Sequence, residues 1–518
     1  MTEIEASEPV AEAGDADTAR QIRGSTLLTA GRGVSLAINF LVQVMAVRYL
    51  SQEAYGAFAY ALSITAVIES VVTLGLDRAI TRFVPIYEEH REYGKLYGTL
   101  VLAFGTVIGL GILVVVTIFA LQGWLSGNLL DDPQLTTVLV ILAVLAPIQA
   151  YDGLLIGLFA VFGNARAVFF RKHVLAPMLR LAAVAAVIAM GGDVEMLALG
   201  YVLAGVIGVA IYTQMLWRML SRSGLLAQMS AARLSIPSRE VLGFALPLLS
   251  SDLVFVVLTA SDVILLEHFR DTAEVAAFRV IYPAAQLNQL VFTSFALLFT
   301  PVAARYFARG DRRSINSLYW RTATWLAVFS FPIFALTFSL AGPLTVALYG
   351  ERYQDSAVYL ALLSIGYYFN VALGFNGLTL KVVGKIRYVV SLNLIAAVAN
   401  VLINLLLIPR YGALGAAIGT SSTLILHNVL KQLGLRFGTG VAVFERTVVR
   451  VYVVIVAAAI LLFILTLLVD LSLPAQLAVT AATALAVLLL NRQALQIADT
   501  FPMVSRLPGS RWLFGDRR

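Results

Sequence analysis

Gly157-Leu158-Phe159-Ala160-Val161-Phe162-Gly163-Asn164-Ala165-Arg166-Ala167-Val168 returns, about 220 residues later, as Gly377-Leu378-Thr379-Leu380-Lys381-Val382-Val383-Gly384-Lys385-Ile386-Arg387-Tyr388-Val389. Each copy runs Gly-Leu, a spacer, an apolar residue with Gly, two residues, Arg, one residue and Val. The second copy carries one insertion. A weaker echo at the same offset pairs Tyr55-Gly56-Ala57-Phe58 with Val275-Ala276-Ala277-Phe278. The first echo follows the fourth apolar stretch of each half, and the second opens the second stretch. Six helices per repeat is an even number, so the two copies point the same way across a membrane. That predicts two lobes related by an axis along the membrane normal.

Working outward, apolar residues make up 60% of the 518, at a mean hydropathy of +0.87. An ordinary soluble domain is excluded. Stretches long enough to span lie at 25–49, 55–76, 97–121, 136–160, 173–190, 195–217, 241–266, 276–301, 321–342, 355–380, 388–408, 413–430, 451–470 and 474–490. A span needs about 20 residues, so the expectation is fourteen transmembrane helices. Pro and Gly scattered through long apolar runs, without strand-like alternation, specify helices over a barrel. The predicted fold is therefore all-α: two parallel six-helix lobes and a C-terminal helix hairpin. Its parts are a disordered cytoplasmic tail (1–24), an N-lobe (25–217), a cytoplasmic linker (218–240), a C-lobe (241–430), the hairpin (451–490) and a second cytoplasmic tail (491–518).

The net charge of +7 follows topology. With a cytoplasmic N-terminus, the outer segments hold only Arg48, Arg270, Arg352 and Arg410. Inner loops collect runs such as Arg78, Arg82, Arg91 and Lys95, or Arg305, Arg309, Arg312 and Arg313. This is the positive-inside pattern, and it predicts a cytoplasmic membrane protein with both termini inside. A nucleic-acid partner is not implied. No signal peptide is expected, the four His form no ligand motif, and zero Cys excludes disulfides and thiolate metal sites. No cofactor is implied, and the short outer loops leave no room for a catalytic module, so the chain is not expected to be an enzyme.

Three Arg fall inside apolar stretches: Arg32 in Ser25–Leu50, Arg180 in His173–Met190, and Arg279 near the start of Ala276–Pro301. A charge at mid-membrane costs roughly 2.5–3.5 kcal/mol on insertion scales, so such residues face a bundle interior or a wet cavity. Guanidinium groups match phosphate oxygens, which makes these three the candidate substrate-binding residues. The competing reading pairs each with a buried acid such as Glu69 or Asp152. Among the acids, Asp252, Asp262 and Glu69 are candidates for ion coupling, with neutralisation of the Arg as the alternative.

Leu407-Ile408-Pro409-Arg410-Tyr411-Gly412-Ala413-Leu414-Gly415-Ala416-Ala417, preceded by Asn400 and Asn404, resembles the eleventh-to-twelfth helix junction of polysaccharide-type flippases. These belong to the multidrug/oligosaccharidyl-lipid/polysaccharide exporter superfamily. Leu50-Ser51-Gln52-Glu53-Ala54-Tyr55-Gly56 is similar to that family's first outer loop, Gly75-Leu76-Asp77 to the end of its second helix, and Phe244-Ala245-Leu246-Pro247 with Asp262 to its seventh. At the junction itself, Pro409 should end one helix and Gly412 should supply the turn. The resemblance implies a flippase moving a lipid-linked phosphate or pyrophosphate oligosaccharide outward by alternating access, for cell-surface polysaccharide or glycoprotein glycan assembly. Its partners would be that substrate, membrane lipid and glycan-assembly enzymes. The alternative on the same fold is a cation-coupled multidrug antiporter. A sugar porter or a membrane-embedded glycosyltransferase fits less well, because Asp77-Arg78-Ala79-Ile80-Thr81 lacks the Gly-rich loop of the former and no acidic nucleotide-sugar motif supports the latter.

Overall fold

A computed structural model gives the structure, which describes residues 31–495 apart from 129, 131, 163–164, 226–227, 229–232, 440, 443–444 and 470. The first tail and most of the second lie outside the described residues, as does part of the linker. Nearly all of the described residues are helical, and none is in a strand. Ten of the helices are long and apolar enough to cross a membrane, or twelve when each of two bent pairs counts as one span. Length and apolarity alone therefore do not reach the expected fourteen. Two expected stretches, 388–408 and 413–430, run together in Ile386–Thr439 and are divided only at Gly412. Residues 31–49 are helical, but the expected start of that stretch lies outside the described residues.

The chain divides into two compact units, Met1–Val256 and Val257–Arg518. The division falls inside the helix Ser238–Phe269. In lipid the hydrophobic effect does little to hold helices together, so packing of small residues and interhelical hydrogen bonds must do it. The first unit follows that rule. Gln52–Thr73 buries Ala54, Gly56, Ala57, Ala59 and Ala61, and it packs closely against Pro133–Ala143. Phe159 stacks on Tyr212 with ring centroids 4.2 Å apart. The first half of Ser238–Phe269 joins this core through Val241 and Ala245. Three polar contacts bind it to Leu76–Glu89: Arg78 pairs with Asp252, the Arg82 guanidinium lies 4.3 Å from the Phe244 ring centroid, and Tyr87 donates to Glu240 at 2.8 Å.

The second unit has an aromatic core of Phe331, Phe334 and Tyr368, against which Val451, Ile455, Leu462 and Val487 pack. The hairpin helices Arg446–Leu468 and Leu473–Leu490 thus dock on Arg312–Ser339. Their other faces expose Val453, Val456 and Leu461 on the first and Leu477 and Leu485 on the second, the composition expected toward lipid acyl chains.

Backbone breaks set where the polar side chains land. Leu74 and Gly75 both adopt left-handed conformations, splitting Gln52–Thr73 from Leu76–Glu89. Helical geometry continues through Pro409 and fails only at Gly412 (φ 55°, ψ −133°), so the proline does not end its helix. That backbone conformation is open only to glycine. The Glu274 carboxylate lies against Gly412 and accepts from the Ala413 amide at 2.7 Å, capping the helix that follows. Arg270 donates to the Ile408 and Pro409 carbonyls at 3.4 and 3.0 Å, closing the preceding end. The junction motif is a clamped turn.

Candidate functional site

Each unit holds a polar core in its apolar interior. In the first, Phe170–Leu175 is a π-helical segment inside the span Arg166–Met190. One extra residue per turn rotates Arg171 inward, where it is only 5% exposed. Its Nε donates to Asp152 Oδ1 at 3.0 Å, and its guanidinium lies 6.0 Å from the Tyr212 ring centroid. Gly208 leaves room for the guanidinium, because a Cβ there would approach Nη2 to 2.9 Å. Beside the pair is a cavity of about 60 Å³ lined by Gln149, Asp152, Arg171, Arg180 and Tyr201 among others. That volume accommodates a few waters. Arg180 is half-buried, 5.9 Å from the Tyr201 ring centroid, and Glu69 and Asp152 both lie within its electrostatic reach.

In the second unit Asp262 is 1% exposed. Its carboxylate accepts from Asn404 Nδ2 through Oδ1 and from Thr420 Oγ1 at 2.7 Å through Oδ2. Asn400 Oδ1 accepts from Asn404 at 3.3 Å and from Ser261 Oγ at 2.9 Å. Asn404 Oδ1 is buried, lies against Gly419 and has no hydrogen-bond donor among the described residues. The result is one buried acid set among amide and hydroxyl groups. Arg279 is half-buried, 5.1 Å from the Tyr282 ring centroid and within electrostatic reach of Asp262.

The expected residues are therefore grouped unevenly. Glu69 and Arg180 share the core of the first unit, and Asp262 and Arg279 share that of the second. Arg32 stands apart on the exposed face of the first described turn. Its carbonyl accepts from Ser35 Oγ, which also contacts His173 Nδ1 at 3.1 Å. Asp252 is engaged by Arg78. Asp152 has an ion-pair partner, but the partner is Arg171, which the sequence reading passed over. Arg171 lies in Phe169-Phe170-Arg171-Lys172-His173, just before an apolar stretch, where a basic residue looks like an inner boundary charge. Only the π segment turns it inward, and no sequence signal announced that segment.

The family model for polysaccharide biosynthesis proteins matches residues 22–307, more than half of the chain. The chain belongs to that family. A second model, MatE, matches residues 247–406. No curated protein matches. Among solved structures, the lipid II flippase MurJ in an inward closed conformation superimposes with a TM-score of 0.68 at 12% identity, over 93% of this chain and all of that one. An inward-facing multidrug resistance MATE family transporter of the MOP superfamily gives 0.65 at 16% identity, over 79% and 94%. A MOP superfamily transporter from Pyrococcus furiosus, described as having a binding pocket of reverse polarity, gives 0.55 at 15% identity, over 81% and 95%. At such identities these structures establish a shared fold. This polysaccharide biosynthesis family member is thus a multi-pass, all-helical membrane protein with the MOP-superfamily fold.

Proposed function

We propose that the protein is a flippase that carries a lipid-linked oligosaccharide, joined through phosphate or pyrophosphate, outward across the cytoplasmic membrane by alternating access. The family match over residues 22–307 carries this reading. Intramembrane Arg supports the anionic substrate class, since Arg32 and Arg180 have no acid within ion-pair distance among the described residues. Reconstituted protein flipping a fluorescent lipid-phosphate glycan tests it. We expect Arg32→Ala to collapse the rate. Wild-type rates in a well-folded Arg32→Ala, Arg279→Ala double variant would sink the cationic-site mechanism.

Coupling to a cation is assigned to Asp262 over Asp252 and Glu69. Asp252 already holds Arg78, and Glu69 lies within reach of Arg180. Asp262, Asn400, Asn404 and Thr420 offer hard oxygen ligands with a single negative charge, a set suited to a monovalent ion. Sodium at about 100 times its Kd should stabilise the protein by about 2.7 kcal/mol, read as a rise in melting temperature over matched choline. Asp262→Asn keeps the shape and should erase that rise; an unchanged rise would remove Asp262 from the site. The MatE match over 247–406 and this oxygen cluster favour one second reading, a cation-coupled multidrug antiporter. Sodium-driven export of cationic dyes by vesicles that do not flip the glycan lipid would select it.

A further inference from the structure

Besides the Asp262 core, the second unit holds a group of cations that the proposed pathway does not use. Lys431 lies near the end of Ile386–Thr439 and is half-buried. Its side chain runs over Gly377, where an added Cβ would meet Cδ, Cε and Nζ at 3.6, 3.7 and 3.8 Å. The charge acting on it is another cation, Lys381 of the helix Asn376–Val382. Among the described residues neither lysine has an acid within ion-pair distance. His427, one turn earlier, engages Asn393 Oδ1 at 3.0 Å and contributes no negative charge.

These lysines do not hold the helices together, because amides nearby already do so. Asn376 Nδ2 donates to Asn428 Oδ1 at 2.8 Å, and Asn428 Nδ2 donates to Asn370 Oδ1. The fold itself does not call for the charges either. The repeat offset sets Val161 against Lys381, and Ala210 or Ile211 against Lys431, so the first copy has apolar residues there. Half-burying one ammonium beside another is unfavourable unless an anion joins them. Two lysines bring six N–H donors to one place, and the ammonium is a compact point-charge binder of phosphate. Exposed Lys385 and Arg387 follow in the chain.

We propose that Lys431 and Lys381 form an anion site in the second unit that takes a phosphate or diphosphate ester. The ester comes either from the headgroup of a bulk anionic lipid or from the transported glycan lipid, and the second source rests on the flippase reading. The test uses the full chain in nanodiscs of zwitterionic phosphatidylcholine, titrated with inorganic pyrophosphate and followed by calorimetry and melting temperature. Saturable binding is expected in the wild type. It should weaken by about tenfold or more in Lys431→Gln and in Lys381→Gln, and persist in Lys431→Arg. Should Lys431→Gln fail to fold, the exposed Lys381 carries the test. Nanodiscs containing phosphatidylglycerol separate the sources: weakened pyrophosphate binding identifies the bulk headgroup as occupant, and unchanged binding identifies the glycan lipid. Absence of wild-type binding in phosphatidylcholine would overturn the site. So would wild-type affinity in both Lys431→Gln and Lys381→Gln, an outcome that leaves the flippase reading standing.

Discussion

Arg171 and Asp152 show how much one largely buried pair can matter. Their side chains are 6% and 19% exposed, and losing one leaves the other uncompensated. Breaking a buried pair in this way costs about 3–5 kcal/mol, whereas replacing both partners by apolar residues of similar volume is often neutral. Arg171→Met and Asp152→Leu should therefore each lower the melting temperature sharply, while the double variant recovers most of the loss. If the double variant is as unstable as either single one, the pair contributes more than mutual neutralisation, and the adjoining cavity with Arg180 becomes the place to look. Asp262 sits under a different constraint. Its partners are neutral amides and a hydroxyl, so its charge is solvated by dipoles, which also suits exchange with a cation. The two cores thus treat buried acids in opposite ways, although the repeat sets Arg180 against Asn400 at its offset of about 220 residues.

At the scale of elements, the helix junction at Gly412 tests whether the motif that resembles the flippase junction is structural. A Cβ on Gly412 would meet the Glu274 carboxylate at 2.8–3.0 Å in a backbone conformation that side chains rarely adopt. Gly412→Ala should cost about 1–3 kcal/mol. Glu274→Ala, which removes the cap on the Ala413 amide, should cost about 1 kcal/mol. Unfolding in detergent measures both, and a neutral Gly412→Ala would mean the turn relaxes into an ordinary one. The turn was legible in advance because Gly412 carries its own conformational signal, although the break was expected at Pro409. Apolar run lengths similarly announced the all-helical membrane fold. What the residues could not announce was helix rotation. The π segment at Phe170–Leu175 changes which face Arg171 presents, and Asp252 and Asp262, ten positions apart on one helix, meet an arginine and an amide cluster respectively. Such partners depend on which helices pack together, and a single chain read residue by residue does not carry that information.

At the scale of the whole molecule, the remaining question is what drives transport in one direction. The described residues show no cluster of three metal-ligating acids or imidazoles, and the sequence has no Gly-x4-Gly-Lys-Ser/Thr loop, so neither points to a nucleotide-driven step. On the flippase reading, direction can come from the membrane potential, from a cation gradient acting through Asp262, or from trapping of the flipped lipid. An anionic substrate moving outward is favoured by an inside-negative potential by roughly 2.3 kcal/mol per charge per 100 mV. A diphosphate with two charges would gain roughly 4.6 kcal/mol by the same relation, over a thousandfold in distribution. Sodium entering in exchange adds to that drive, whereas a purely potential-driven flippase needs no ion. The two separate cleanly in proteoliposomes. With valinomycin setting an inside-negative potassium potential in sodium-free buffer, outward flipping should proceed in wild type and in Asp262→Asn if the potential suffices. If Asp262 couples sodium, wild type should instead accelerate when an inward sodium gradient is added at zero potential, and Asp262→Asn should not. Outward flipping that ignores both the potential and the sodium gradient would leave trapping of the flipped lipid by later enzymes as the source of direction, and Asp262 as a structural acid.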